Sequence, residues 1–461
     1  MSIKNHPAYN AFKAYDIRGR VPQELTPELY YRLGSAYAQV LQPQTVAVGH
    51  DIRLSSPELT ASLIEALRDQ GVNVTDLGLC GTEEVYFATG HNRLDGGLMV
   101  TASHNPADYN GLKMVQSQSR PLTSSQNLDI RGVAISDVRI TKHPRRGTLK
   151  KYDVHRSFIA YALSQVDLRK IPHLTVVCNA GNGGAGVLLE RMQEFLPIEM
   201  IIINGEPDGN FPHGVPNPLL PECRADTAKA VIEHKAHLGV AWDGDFDRCF
   251  FFDEKGHFIE GYYVVGLLAQ RFLGRNHGAT IIYDPRLTWN TQEIVEQAHG
   301  RAVQSATGHA FIKQTMRDNN AVYGGEMSAH HYFRDFYFCD SGILPWLFIM
   351  ELLGTTKKPL SALVEDRVAQ HPISGEINRR TSEKLPDILE RLRQRTEEAY
   401  GQPLSEDTTD GLSWEYPQFR FNVRASNTEP LVRLNVETRA DQTLLKSVTD
   451  FLLDTIGGEK P

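Results

Sequence analysis

Short apolar runs alternate with longer stretches of helical periodicity through the first three hundred residues. The run Val46–Gly49 predicts a buried strand, Pro57–Gln70 a helix, and Val72–Leu77 and Gly97–Val100 two further strands. The same plan returns twice along the chain. The second set comprises Leu174–Cys178, a helix over Val187–Phe195, Met200–Ile203 and Leu238–Trp242. The third set comprises Thr280–Tyr283, a helix over Thr291–Ala298, Arg301–Gln304 and Ala321–Tyr323.

Strands that alternate with helices predict parallel sheets joined by right-handed crossovers. Ligands of such sheets bind beyond the carboxyl ends of the strands. In each set a chemically rich segment follows the last strand, and these segments contain Ser103, Asp243 and Glu326. The three sets therefore each supply one loop to a functional site.

The C-terminal part of the chain follows a different pattern. A charged helix is predicted over Glu383–Ala399, strands at Gly411–Glu415, Phe419–Val423 and Leu431–Glu437, and a helix over Asp441–Ile456. The predicted fold is α/β, with three tandem parallel or mixed α/β domains and a C-terminal α+β domain. The predicted domains are 1–153 with the Ser103 loop, 154–258 with the Asp243 loop, 259–370 with the Glu326 loop and 371–461 with the Arg424 loop.

Composition narrows the class of protein. The formal net charge of -8 argues against general nucleic-acid binding. No run approaches the ~18 apolar residues of a membrane span, and the first residues lack the apolar segment of a secretory signal. Five widely separated cysteines fit neither a disulfide framework nor a zinc site, so a cytoplasmic location is expected. The basic run Lys142–Lys151 is interpreted as a solvated linker.

The segment Thr101–Pro106 places a hydroxyl beside an imidazole, Ser103 next to His104. Because Pro106 disfavours helix at the preceding residue, the serine is expected on a defined turn after the strand. Such a serine can act as a nucleophile or phosphate carrier. The alternatives are an ordinary polar turn and a Ser–His hydrolase, although no Gly-x-Ser-x-Gly elbow surrounds it.

Asp243, Asp245 and Asp247 occupy alternate positions, so an extended segment would point their carboxylates in one direction. Three such charges require a cation, and hard oxygen ligands favour Mg²⁺ or Ca²⁺. An EF-hand loop fails at its sixth position, where Arg248 replaces the required glycine. The expected metal is Mg²⁺, against the alternative of a solvated acidic turn.

Glu326, Ser328 and His330 also alternate, and a carboxylate with a histidine suits sugar hydroxyls and proton transfer. His309 belongs either to this set or to the core, and His331 is interpreted as structural.

A predicted turn between two strands offers an anion a guanidinium, two hydroxyls and an amide. Its residues are Arg424, Ser426, Asn427 and Thr428, with Arg433 in the following strand.

The segment Gly181–Gly186 matches Gly-x-Gly-x-x-Gly after a strand, which leaves a dinucleotide site as an alternative. No Gly-Lys-[Ser/Thr] occurs, so a P-loop is excluded.

The chain resembles the α-D-phosphohexomutase superfamily, and within it the bacterial phosphomannomutases of GDP-mannose synthesis. The resemblance rests on Ala14–Gly19, Thr101–Pro106, Tyr109–Lys113, Asp243–Arg248, Gly325–His330 and Arg424–Pro430. It implies four domains around a central cleft, a phosphoserine, Mg²⁺ and a hexose 1,6-bisphosphate that serves as intermediate and activator. Phe246 and Ala329 depart from the glycines that many members have at these positions.

The resemblance also implies roles for individual residues. The implied catalytic residues are Ser103, His104, Lys113, Arg18, Arg248 and His330. The implied metal ligands are Ser103, Asp243, Asp245 and Asp247. The implied substrate-binding residues are His309, Glu326, Ser328, His330, Arg424, Ser426, Asn427, Thr428 and Arg433.

The expected activity is an isomerase that moves a phosphate between C6 and C1 of mannose and supplies GDP-mannose for surface polysaccharide. The expected partners are hexose phosphates, with no nucleic acid and no membrane, and the chain is expected as a monomer or homodimer. Two alternatives remain: a phosphoglucomutase or dual-specificity enzyme, and a sugar-phosphate-binding protein without turnover.

Overall fold

The computed structural model describes residues 6–13, 15–425 and 431–460. They form two compact units. The first unit contains the chain up to Phe258 and the segment His330–Pro359. The second contains Ile259–Ala329 and the chain from Leu360 onward. Both are built from sheets with packed helices, so the prediction of a multi-domain α/β fold is confirmed.

The first sheet of the first unit is parallel at its centre. Thr45–His50 pairs in parallel with Asn73–Leu79 on one side and with Gly96–Val100 on the other. Tyr109–Gln116 runs antiparallel to Gly96–Val100, and Ile17–Arg20 runs antiparallel to Tyr109–Gln116. Two short strands complete this sheet, Arg120–Pro121 and Leu149–Lys151. The three central strands were predicted, whereas the antiparallel additions were not.

Four helices belong to this part of the chain: Pro27–Leu41, Ser56–Asp69, Thr82–His91 and Ser124–Ala134. The first begins after Thr26, whose side chain accepts a hydrogen bond from the Leu29 N–H, with Pro27 in the opening turn. Its buried face carries Tyr37, whose hydroxyl donates to the Val115 carbonyl at 2.7 Å. Apolar spacing and a capping residue together therefore place this helix on the sheet.

The basic run after the helix Ser124–Ala134 is solvent-exposed, as predicted, but it is more than a linker. Leu149–Lys151 is an edge strand parallel to Asn73–Leu79. Lys142 Nζ lies 2.6 Å and Arg146 Nε 3.1 Å from the carboxylate of the buried Asp69. Two basic side chains of the run thus offset a buried acid, so the prediction of a plain linker is corrected while its solvent exposure is confirmed.

The second sheet of the first unit again has a parallel centre. Thr175–Asn179 pairs in parallel with Glu199–Ile203 and with Leu238–Trp242, and Cys249–Phe252 runs antiparallel to Leu238–Trp242. The accompanying helices are Val154–Ser164, Ala185–Met192 and Ala225–Glu233. The short strand Phe258–Ile259 contains the residue at which the chain leaves this unit. The Asp243 loop follows directly from the central strand.

The segment His330–Pro359 completes the first unit. It forms the antiparallel strands His331–Phe333 and Cys339–Asp340 and then the helix Ile343–Thr356. That helix is apolar nearly all round and correspondingly buried. Trp346 meets Trp242 edge to face at 5.5 Å between ring centroids.

The second unit combines a parallel arrangement with an antiparallel sheet. Thr280–Tyr283 pairs in parallel with Arg301–Gln304 and Tyr323–Gly325. The accompanying helices are Gly261–Arg275, Trp289–Gln297, His309–Asp318 and Leu360–Gln370. The antiparallel sheet has the order Ile373–Arg380, Leu431–Thr438, Phe419–Ala425, Leu412–Glu415 and Ser405–Asp407. The helices Leu385–Tyr400 and Gln442–Ile456 share its apolar core.

Short 3₁₀ turns lie at Pro7–Ala11, Ser117–Ser119, Leu168–Lys170, Gln193–Phe195, Pro221–Cys223 and Arg334–Phe336. None of the helices in the described ranges is both long and apolar enough to cross a bilayer.

The contact between His155 and Glu84 makes the stability of the first unit depend on pH. His155 Nδ1 lies 2.6 Å from the Glu84 carboxylate. Burial lowers the pKa of His155, but the hydrogen bond and charge of Glu84 outweigh it, so the pKa is raised. Because the folded-state pKa exceeds the unfolded one, the contact stabilises fully below about pH 6.5 and is lost as pH rises through the raised pKa.

We therefore expect His155→Gln to lower the stability of the first unit by about 1.5–3 kcal/mol at low pH and by less at high pH. Calorimetric unfolding of both proteins from about pH 5.5 to about pH 8.5 measures the difference. The exposed His234 supplies the control variant His234→Gln, which should show no such trend. A difference that grows with pH would contradict the assignment.

Candidate active site

Ser103 is held on a constrained loop just after the strand Gly96–Val100. It is 3% exposed and has a φ of 50°, in the left-handed region that a non-glycine residue rarely adopts. Its N–H donates to Thr101 Oγ1 at 2.8 Å. The guanidinium of the buried Arg53 donates to the Ser103 carbonyl at 2.9 Å. Arg53 also donates to the carbonyls of Asn105, Pro106 and Tyr109. A single buried cation thus fixes the shape of the loop.

The hydroxyl of Ser103 points at the second sheet of the same unit. Ser103 Oγ donates to Asp243 Oδ2 at 2.7 Å and lies 3.0 Å from His104 Nδ1. Arg248 also donates to His104 Nδ1 and to Asp243 Oδ2, the latter at 2.9 Å. Although 33% of the His104 side chain is exposed, burial with the charges of Arg248 and Arg18 lowers its pKa well below the usual value. His104 is therefore a neutral imidazole that accepts from Arg248.

The three aspartates come together through a turn rather than an extended segment. The Phe246 N–H donates to the Asp243 carbonyl at 3.1 Å, and Phe246 has a φ of 44°. One ligand oxygen from each of Asp243, Asp245 and Asp247 lies within 4.8 Å of the others. The carboxylates are 0%, 0% and 2% exposed. The predicted cluster is present, but the expected extended geometry is corrected.

Two cations, Lys113 and the Arg248 already described, offset part of this charge. Lys113 Nζ, from the strand Tyr109–Gln116, lies 2.7 Å from Asp245 Oδ2 and 2.5 Å from Asp247 Oδ2. Burial lowers the pKa of Lys113, but Asp245 and Asp247 raise it more, so the ammonium stays charged. Burial and the charge of Asp245 raise the pKa of Asp247 well above its usual value. The cluster still holds more negative charge than its neighbours accommodate.

This donor set fits a hard divalent cation. Among residues 6–13, 15–425 and 431–460, Asp245 Oδ1 and Asp247 Oδ1 have no hydrogen-bond partner. Buried carboxylate oxygens without donors are costly unless a cation coordinates them. Carboxylate and hydroxyl oxygens are the ligands that Mg²⁺ prefers. Ser103 Oγ, hydrogen-bonded to Asp243, lies beside the set.

Arg18 and His330 lie around the same cluster in the first unit. Arg18 donates to Asp16 at 2.9 Å and to Asn105 Oδ1, next to the serine loop, at 2.8 Å. His330 Nε2 lies 3.9 Å from Asp247 Oδ1. The first unit thus gathers every catalytic and metal-ligand candidate that the sequence indicated.

The second unit contains a separate polar group around Arg286. Arg286 Nη2 lies 3.4 Å from Glu326 Oε1 and 3.3 Å from Ser328 Oγ. The Gly308 N–H donates to Glu326 Oε1 at 3.1 Å, and His309 begins the helix that follows. Glu326 is 1% exposed, so its carboxylate is held by these contacts at a defined position.

Three arginines of the second unit converge on Glu376. Arg424 donates to Glu376 Oε2 at 2.6 Å, and Arg286 Nη1 lies 3.9 Å from the same oxygen. Arg433 Nε lies 3.7 Å from Glu376 Oε1. Burial raises the pKa of Glu376, but the three guanidinium groups lower it more, so it is ionised. Because Arg286 is also paired with Asp284 and Glu326, the charge suited to an anionic ligand is that of Arg424 and Arg433, which share the carboxylate of Glu376.

Arg424 lies inside the strand Phe419–Ala425, directly opposite Arg433 in the antiparallel register. The prediction that Arg424 belongs to the turn itself is therefore corrected. Ser426, Asn427 and Thr428 lie outside the described residues.

Four family models match successive parts of the chain. They describe the phosphoglucomutase/phosphomannomutase α/β/α domains I, II and III, over residues 9–136, 156–256 and 260–371, and the C-terminal domain of that family, over 376–455. The chain belongs to the phosphoglucomutase/phosphomannomutase family.

Individual relatives agree with this assignment over nearly the full length. A phosphomannomutase of Salmonella typhimurium is 51% identical over 449 residues, which are 96% of this chain and 98% of the relative. A protein of Xanthomonas campestris named among the phosphohexose mutases is 52% identical over 450 residues, 97% of this chain and 99% of its own. The crystal structure of a family protein from Burkholderia thailandensis is 31% identical, with a TM-score of 0.87 over 98% of this chain and 99% of that chain.

Sequence reasoning did not identify several residues that shape this family site. Arg53 orders the serine loop, and Thr82 donates its hydroxyl to Asp245 Oδ2. Arg286 and Glu376 link Glu326 to Arg424. An arginine or threonine outside a motif carries no local signal of such a contact. Asp284 and Arg286 follow the carboxyl end of the strand Thr280–Tyr283, where ligands of parallel sheets bind. This position was the best indication in the sequence that Arg286 belongs to the site.

The glycine motif Gly181–Gly186 serves close packing in this family fold. A Cβ at Gly186 would lie 1.8 Å from the Gly205 carbonyl oxygen, and one at Gly181 would lie 2.4 Å from Pro216 Cβ. The Gly184 N–H donates to the Gly244 carbonyl at 3.2 Å. The motif therefore brings a helix N-terminus against the aspartate loop, which accounts for its glycines without a dinucleotide.

Proposed function

We propose that the protein is a phosphomannomutase that interconverts mannose 6-phosphate and mannose 1-phosphate through a phosphorylated Ser103 and a hexose 1,6-bisphosphate. The observation that carries the proposal is the 2.7 Å contact of Ser103 Oγ with Asp243 inside a buried acidic cluster. Relatives of about half identity named phosphomannomutase support the substrate.

In the first step, phospho-Ser103 gives its phosphoryl group to a free sugar hydroxyl. The bond between Ser103 Oγ and phosphorus breaks, a bond from the sugar oxygen to phosphorus forms, the sugar hydroxyl loses its proton to a base, and Ser103 Oγ gains one from an acid. Arg18 and Arg248 neutralise the phosphoryl oxygens, His330 is the candidate base, and the charged Lys113 is the candidate acid. The opposite phosphate of the bisphosphate then returns to Ser103.

Asp243, Asp245 and Asp247 would hold Mg²⁺, with an oxygen on Ser103 as a further ligand. When bound, the ion supplies positive charge to the phosphoryl group in transfer. The neutral His104 accepts a hydrogen bond from Arg248 and so helps to orient that guanidinium beside Ser103. These residues contribute by positioning and charge, which dominate phosphoryl transfer.

The second unit would bind the rest of the substrate. Glu326, fixed by Arg286 and the Gly308 N–H, accepts hydrogen bonds from sugar hydroxyls, with Ser328 and His309 beside it. The positive group around Arg424 and Arg433 takes the phosphate that does not react, with Ser426, Asn427 and Thr428 as further donors. The proposal also includes a domain division at 153, 258 and 370 and a monomeric or dimeric state. It further includes a cytoplasmic location and a role in GDP-mannose supply.

The experiment that tests the function compares kcat/KM for mannose 1-phosphate and glucose 1-phosphate on the same preparation. Preference for the mannose compound supports the proposal. Preference for glucose overturns the substrate but retains the mechanism, because the two sugars differ only at C2. Binding of either compound without turnover favours the non-catalytic alternative.

Arg424→Ala is expected to raise KM about 10–100-fold, since it removes charged hydrogen bonds to phosphate of about 1.5–3 kcal/mol. Phosphorylation of Ser103, read by intact mass, should be unchanged because Arg424 lies in the other unit. The exposed Arg395, paired with Asp454 in the same unit, gives the control Arg395→Ala. An unchanged KM in Arg424→Ala would remove this arginine from the phosphate site.

A further inference from the structure

Phe246 occupies the middle of the aspartate loop in a conformation that phenylalanine avoids. Its φ is 44°, and its side chain is 0% exposed. A left-handed backbone is unfavourable for any residue with a Cβ, so packing of the ring must compensate for it.

The ring lies in a space left by two glycines. A Cβ at Gly81 would lie 2.2 Å from Phe246 Cζ, and one at Gly184 would lie 3.0 Å from Phe246 Cε1. Gly81 caps the helix Thr82–His91, and Gly184 caps the helix Ala185–Met192. The aromatic ring therefore wedges between the N-termini of two helices that follow different sheets of the first unit.

Backbone contacts of the same two helices hold the loop on either side of the ring. The Thr82 N–H donates to the Asp245 carbonyl at 3.1 Å, and the Gly184 N–H donates to the Gly244 carbonyl at 3.2 Å. A Cβ at Gly244 would lie 2.6 Å from the Ser103 carbonyl oxygen, so the loop also rests on the serine segment. A shift of the loop would move Asp245 and Asp247 relative to Ser103.

We propose that Phe246 is a positioning residue for the cation site. Its ring sets the distance of the aspartate loop from the N-termini of both helices. This distance in turn determines the spacing of the three carboxylates. This inference rests on the proposed role of those aspartates as cation ligands. Without the ring, the loop can move into the space between Gly81 and Gly184. The oxygens of the three carboxylates then no longer converge on one cation position.

Mn²⁺ binding by the dephosphorylated protein tests this inference without any turnover. The electron paramagnetic resonance signal reports free Mn²⁺ and so gives the affinity. We expect Phe246→Gly to weaken Mn²⁺ binding at least tenfold, although glycine relieves the unfavourable φ. The Mn²⁺ affinity of Phe246→Leu should lie between those of the wild type and Phe246→Gly. This variant keeps the test valid if the glycine variant folds poorly.

Tyr337 provides a matched control in the same unit. It is an aromatic residue with a φ of 55°, and a Cβ on the facing Gly90 would lie 2.6 Å from its ring. Tyr337→Gly removes an aromatic packing contact near the C-terminal end of the helix Thr82–His91, opposite the end that meets the aspartate loop, and should leave Mn²⁺ affinity within about twofold. If Tyr337→Gly weakens Mn²⁺ as much as Phe246→Gly, the effect is general loosening and the inference is overturned.

A double-mutant cycle tests the contact itself. Gly81 has a φ of -91°, which suits alanine, and the three atoms nearest to an added Cβ all belong to the Phe246 ring, so Gly81→Ala acts mainly through that clash. It should weaken Mn²⁺ binding in the wild type but much less in Phe246→Leu, where the ring edge is gone. Additive effects, or Phe246→Gly binding Mn²⁺ like the wild type, overturn the inference. A wild-type protein that binds no Mn²⁺ removes the cation site and this inference with it.

Discussion

Ser103→Ala is expected to reduce mutase activity by roughly 1,000-fold or more, because the variant has no oxygen to carry the phosphoryl group. The fold should persist, since the change removes one hydroxyl whose hydrogen bond goes to Asp243. The loop conformation is held mainly by Arg53 and the Thr101 hydroxyl, which remain. The loss should therefore appear in kcat rather than in the thermal midpoint.

Intact-mass measurement and a mannose 1-phosphate assay on the same sample check this expectation. The wild type should show a phosphate adduct that Ser103→Ala lacks. The exposed Ser125, in the helix Ser124–Ala134, gives the control Ser125→Ala, which should keep both adduct and activity. Turnover that survives Ser103→Ala would rule out a phosphoserine mechanism.

Lys113→Met should have the second-largest effect, and it should act on stability as well as on activity. The variant leaves Asp245 and Asp247 buried without the ammonium that contacts both. Removal of one partner from a buried ion pair costs about 3–5 kcal/mol. The free energy of unfolding of the first unit should fall by this order in the absence of divalent cations, and kcat should fall at least about 100-fold.

Added Mg²⁺ should stabilise Lys113→Met more than it stabilises the wild type, because the ion then neutralises charge that no side chain offsets. Urea unfolding with and without Mg²⁺ measures the difference. The exposed Lys142, which pairs with Asp69 away from the cluster, gives the control Lys142→Met with a small and Mg²⁺-independent effect. If Mg²⁺ stabilises the wild type and Lys113→Met equally, the cation does not neutralise the carboxylates that Lys113 contacts, and the expectation is wrong.

The elements that sequence patterns predicted well are buried parallel strands. Thr45–His50, Leu238–Trp242 and Thr280–Tyr283 each appear within one residue of the predicted apolar run. Such strands are buried on both faces, so their sequences are continuously apolar and easy to recognise. The helix Ile343–Thr356 was missed, because a helix that is apolar all round has no periodicity to detect.

The candidate site was predictable where its residues stand in compact motifs. Ser103, Lys113 and the three aspartates meet in the structure as the motifs indicated. Contacts of residues that stand outside such motifs were not predictable, as Arg53 with the serine loop illustrates. The loop shape was also missed, because alternation along the sequence suggested an extended aspartate segment, whereas the chain turns at Phe246.

The return of His330–Pro359 to the first unit has a consequence for how the chain folds during synthesis. Trp242 donates its indole N–H to the Gly342 carbonyl at 3.0 Å, and Ser341 bonds to the buried Glu83. When residue 258 leaves the ribosome, these partners do not yet exist, and the whole of Ile259–Ala329 must be translated first. The nascent first unit therefore exposes Trp242 and Glu83 until Ser341 and Gly342 follow, about eighty codons later, a window in which exposed apolar surface favours misassembly.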